Sequence, residues 1–164
     1  MSSTPSIRVL TGVAATLAIV QPAAAHHFMD GTTPATAAEG LLSGLAHPLI
    51  GLDHLLFLIA AATLLAAWRR APRLALAALF AAGALTGTAA HLGGANLPVP
   101  ESLVALTLLG AAGALAFGRA LPAAVLGAAL GLAGGLHGYV YAETVVGAEQ
   151  TPLAAYLAGF TAVQ

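Results

Sequence analysis

Six apolar runs, separated by short polar or turn-forming stretches, set the pattern of this chain. Residues 9–20 form the first, which Gln21-Pro22 interrupts. Four more follow, residues 49–68, 74–92, 102–118 and 123–141. Each approaches the roughly 20 residues that a helix needs to cross a bilayer. A sixth run begins after Thr151-Pro152 and is still apolar at Gln164. Residues 153–164 number only 12, too few to span, so the pattern predicts a truncated chain with at least one further span beyond it. Runs this long, with no heptad or solenoid repeat, predict an all-α fold, a polytopic transmembrane helix bundle.

The connections fit that reading. Arg69, Arg70, Ala71, Pro72 and Arg73 make a tight basic turn, and residues 93–100 form a loop rich in glycine and proline. Residues 119–122 make another short turn, with Pro122 placed to start the next helix. Residues 142–151 form an acidic loop.

The first run has a different meaning. It is short, follows a segment whose only charge is Arg8, and precedes Ala23-Ala24-Ala25, the small-x-small pattern of a signal peptidase site. Residues 1–25 therefore read as a signal peptide cleaved after Ala25, and residues 26–164 as one integral membrane domain beginning outside at His26. The alternative is an uncleaved first membrane helix, which leaves the same residues outside.

Composition narrows the class. The chain is 59% hydrophobic and 7% charged, with five basic and six acidic residues, against about 25% charged residues in a soluble domain. So few charges do not cover a water-facing surface, and no basic patch exists to neutralise nucleic-acid phosphates. The absence of cysteine excludes disulfides and thiolate ligands. Abundant Ala, Leu and Gly suggest close helix packing in lipid, and Gly83-x3-Gly87 and Gly127-x3-Gly131-x3-Gly135 read as packing stripes.

Charge placement then sets orientation. With residue 26 outside, successive spans put Arg69, Arg70, Arg73 and Arg119 in the cytoplasm, as the positive-inside rule asks. The histidines and carboxylates fall on the outer half. His26, His27, Asp30 and Glu39 belong to the outer N-terminal segment, and His47, Asp53 and His54 to the outer end of the first span. His91 and Glu101 follow at the ends of spans two and three, His137 and Glu143 flank the end of span four, and Glu149 lies beyond. Such a vestibule concentrates cations.

The densest chemistry is His47-Pro48-Leu49-Ile50-Gly51-Leu52-Asp53-His54. Ionisable groups inside a membrane helix are costly, and three in eight residues need an explanation. Imidazole nitrogen with carboxylate oxygen suits nickel, cobalt, zinc or iron. On a straight helix His47 and His54 would stand about 10 Å apart along the axis, too far for one ion. Pro48 disfavours helix at His47 and Gly51 can relax the next turn, so the first span is expected to be broken near Pro48 or Gly51. That break could fold His47 towards Asp53 and His54. The alternative is that the three side chains snorkel to the interface and cap helix ends.

A second cluster, His137 to Glu143, could add ligands from span four, with Tyr139 and Tyr141 as interfacial anchors. His137 and His91 could equally be structural. His26 and His27 at a free N-terminus could capture a divalent ion through the α-amine and imidazole. No Walker motif, Gly-x-Ser-x-Gly elbow or dinucleotide fingerprint appears, so ATP-driven pumping by this chain is unsupported.

His47-x5-Asp53-His54 near the start of the first mature span resembles the signature of the HupE/UreJ family of nickel/cobalt permeases. His137-Gly138 through Glu143 is similar to the family's second motif, although Leu136, Tyr141 and Ala142 stand where Phe and a further His-Gly are usual. The resemblance covers essentially the whole chain after Ala25. It implies secondary uptake of Ni2+ or Co2+ across the bacterial inner membrane, with a periplasmic mature N-terminus. It also implies that His26 and His27 capture the ion, His47, Asp53 and His54 select it, and His137 and Glu143 complete the site or pass it on. The bound ion, Ni2+, Co2+ or Zn2+, is cargo with no prosthetic group beside it; the lipid bilayer is the other expected partner, and a homo-oligomer is compatible. Uptake should fall as pH drops through the histidine range, because the ligands bind metal deprotonated. Two readings stand beside this one. An intramembrane zinc-dependent hydrolase would use the same His/Asp cluster with Glu143 as general base. A metal-sensing or structural partner of another transporter would bind without carrying.

Overall fold

A computed structural model describes residues 31–67, 72–98, 100–117 and 121–164. The signal peptide, His26, His27 and Asp30, and the basic-turn residues Arg69, Arg70 and Arg119 lie outside the described residues. Among the described residues, six α-helices follow in order: α1 Ala37–Ile50, α2 Leu52–Ala67, α3 Arg73–Leu92, α4 Pro100–Phe117, α5 Ala123–Tyr141 and α6 Gln150–Val163. A short 3-10 turn, Ala142–Val145, extends α5. The all-α bundle expected from the pattern is the fold.

The first helix is a correction. Residues before 49 are expected as an outer segment, yet α1 begins at Ala37. Its start is a capping box. Glu39 N–H donates to the Thr36 hydroxyl at 3.2 Å, and Thr36 N–H donates back to the Glu39 carboxylate at 3.0 Å. Pro48 is a second correction, because it lies inside α1 and His47 is helical. A proline near a helix end removes one donor without stopping the helix. The break falls at Gly51, where φ −71° and ψ 106° are extended, and α2 leaves at 75° to α1.

Two glycine seams hold the bundle. A Cβ at Gly83 would meet the Gly131 carbonyl, and one at Gly87 the Gly135 carbonyl. The paired numbers rise together, so α3 and α5 run in the same direction, as short turns through an intervening antiparallel α4 require. The stripe read from the sequence is a packing surface, but on α5 the tightest positions are Gly134 and Gly138, against the Phe80 and Ala84 backbones. In the second seam Gly40, Gly44 and Gly159 bring α1 and α6 into contact, again in parallel. Phe57, Phe80, Leu108, Leu126 and Leu130 belong to one apolar core cluster, and Tyr141, Val145, Tyr156 and Phe160 to a second.

α3 and the continuous Ala123–Val145 stretch are each long and apolar enough to cross a membrane, and the bent α1–α2 pair qualifies when taken together. α4 is a shorter apolar helix. α6, which is shorter than a span, packs along α1.

Candidate functional site

The bend at Gly51 gathers the first cluster. His47 lies in the last turn of α1, while Asp53 and His54 lie in the first turn of α2. The His47 and His54 ring centroids come to 5.6 Å, where a straight helix would hold them about 10 Å apart. His137 joins from α5, with its Nδ1 2.9 Å from Nδ1 of His54. Gly51 has to be small here, because a Cβ would lie 2.6 Å from the His54 ring.

These rings do not snorkel. His47 is 3% exposed and His54 and His137 are 0% exposed. His137 lies 14 residues beyond Ala123 and eight before Val145. At 1.5 Å per residue that is about 21 Å and about 12 Å from the two ends of the apolar stretch. The cluster is therefore well inside the bundle.

Hydroxyls surround it. Thr144 Oγ1 is 2.8 Å from His47 Nδ1, and Thr107 Oγ1 is 3.0 Å from His137 Nε2. Tyr141 sits edge-on to His47 and His54, at centroid distances of 4.9 and 4.7 Å. It is fully buried and Tyr139 nearly so, which overturns their reading as interfacial anchors. Tyr139 instead fastens the loop before α4, donating to the Ala95 carbonyl at 2.8 Å and accepting from Leu97 N–H at 2.9 Å. Asp53 is half-buried, and its carboxylate accepts from His54 N–H at 2.9 Å, fixing the first turn of α2.

The other expected site residues gather elsewhere. His91, Glu101 and Glu143 line an open pocket beside Tyr139, at the end of the bundle where α3 finishes and α4 starts. His91 lies 4.3 Å from the Tyr139 ring, centroid to centroid. Glu143 is therefore in an outer pocket, while His137 belongs to the inner cluster. Among the described residues, no three or more His, Asp or Glu side chains converge closely enough to hold one ion. Sequence reading missed Thr107, Thr144 and Tyr156 altogether. Their only signal is a hydroxyl within or beside an apolar run.

The family's sequence profile, HupE / UreJ protein, matches residues 14–164. The chain belongs to the HupE/UreJ family, a family of metal transporters that places this protein in a membrane. No curated protein and no solved structure gives a significant match.

Proposed function

We propose that this chain moves a divalent transition-metal ion, Ni2+ or Co2+, across the bacterial inner membrane by secondary transport from the periplasmic side. The observation that carries this reading is the broken helix. It sets His47 and His54, seven residues apart in sequence, side by side within a buried cluster. Nitrogen donors of this kind bind borderline divalent metals, and the chain has no cysteine to supply a thiolate. Irregular backbone at membrane depth is tolerated where it is enclosed by protein or lines a cavity, and discontinuous helices form ion sites in transporters for that reason.

His91, Glu101 and Glu143 would collect the ion in the outer pocket, and Asp53 would offset its charge as it reaches His47 and His54. His26 and His27 would deliver it from the mature N-terminus. Two or three protein donors suit cargo that must leave again. Reconstitution in liposomes with a metal-sensitive dye tests the reading. Accumulation of Ni2+ or Co2+ is expected, and its response to an imposed pH gradient identifies coupling to protons. No flux of either ion through folded protein would sink the proposal.

A further inference from the structure

Thr107 lies on α4 and touches neither His47 nor His54, yet the hydrogen bonds around it constrain both nitrogens of His137. A threonine hydroxyl has one proton to give. That of Thr107 goes to the Val104 carbonyl at 2.7 Å, a group that only accepts. Towards His137 Nε2, 3.0 Å away, Thr107 Oγ1 is then an acceptor. Nε2 must carry the proton of the neutral His137 ring, and Nδ1 must carry its lone pair. His137 Nδ1 faces His54 Nδ1 at 2.9 Å, so the proton between them belongs to His54. A neutral imidazole protonated at Nδ1 presents its lone pair at Nε2.

We infer that Thr107 is a positioning residue: through His137 it fixes the tautomer of His54, so that His54 offers Nε2 to the metal ion. His137 becomes the orienting partner of a ligand, since its own two nitrogens are engaged with Thr107 and His54. Ring partners of this kind commonly set which nitrogen of a ligating histidine is available.

A hydroxyl also meets the second imidazole of the cluster, Thr144 Oγ1 lying 2.8 Å from His47 Nδ1.

The metal consequence rests on the transport reading above; the tautomer does not. The test is therefore spectroscopic first. Full-length protein with 15N-labelled histidine, its resonances assigned with His54→Gln and His137→Gln, is compared with Thr107→Val and Thr107→Ser. In the unsubstituted protein, His54 is expected to show a protonated Nδ1 and a pyridine-type Nε2, and His137 the reverse. Thr107→Val, which is isosteric, removes the acceptor, so His54 is expected to become a mixture of both tautomers. Thr107→Ser is expected to restore the original pattern. Ni2+ affinity, measured by titration of the same samples, should fall about tenfold to a hundredfold in the valine variant and recover in the serine variant. A His54 protonated at Nε2 in the unsubstituted protein, or a tautomer ratio unmoved by Thr107→Val, overturns the inference. Altered tautomers with no metal binding in any sample would leave Thr107's role standing and count against the transport reading instead.

Discussion

The inner imidazole cluster and the outer carboxylate pocket share histidine chemistry but are built on opposite principles. At the inner cluster, His47, His54 and His137 are almost wholly buried, and their ring nitrogens meet specific hydroxyls and each other at 2.8–3.0 Å. In the outer pocket, His91, Glu101 and Glu143 line open space beside a loop held by Tyr139. Buried polar groups need fixed partners, so the first region defines one geometry. The second acts through its field, which falls off over about 8–10 Å in physiological salt and does not need a fixed geometry. On the proposed transport reading, selection would belong to the first region and collection to the second.

The largest separation between them should come from His54→Ala. Uptake is expected to fall about a hundredfold or more at every ionic strength, because even partners of metal ligands are commonly worth about 10–100-fold. Accumulation of Ni2+ in cells at matched expression would check this, and near-normal uptake would place the ion elsewhere. Gly51→Ala comes next. Its Cβ would lie 2.6 Å from the His54 ring, so the ring or the bend must shift. A displacement near 1 Å at a reacting site can cost about a hundredfold, and a loss between tenfold and a hundredfold in transport rate is expected.

Glu101→Gln should behave differently. The initial uptake rate is expected to drop about threefold to tenfold at low salt, with the difference shrinking as salt screens the pocket. A salt-independent loss as deep as that of His54→Ala would erase the distinction between the two regions. The smallest effect belongs to Tyr139→Phe, which removes the bonds to Ala95 and Leu97. Hydrogen exchange at the Leu97 amide should report about 1–2 kcal/mol of lost local protection, while the transport rate stays within about twofold.

Much of the architecture was legible because the bilayer imposes length on apolar runs. The runs at 74–92, 102–118 and 123–141 correspond closely to α3, α4 and α5. The first span was harder, because α1 carries a capped start and glycines on a face that packs against α6, features weaker than a hydropathy run. Thr36-x-x-Glu39 was nevertheless a readable start signal. Pro48 misled because a proline can kink a helix without ending it, and here the helix runs on two residues further to Ile50. His47, Asp53 and His54 could be singled out from their cost in an apolar run. The pairing of His54 with His137, separated by 83 positions, could not, since it depends on how α2 meets α5. Thr107 and Thr144 were invisible for the same reason: nothing local distinguishes a hydroxyl that orients a ring from one that faces lipid.

On the transport reading, His47 and His54 act as one metal site across the break at Gly51. A double-mutant cycle on Ni2+ affinity, with His47→Ala, His54→Ala and the pair measured in detergent-solubilised full-length protein, tests it most directly. Groups that share one ion are strongly non-additive. Each single substitution is expected to remove most of the affinity, with the double variant little weaker than either. Additive losses, or full affinity in a folded double variant, would contradict a shared site.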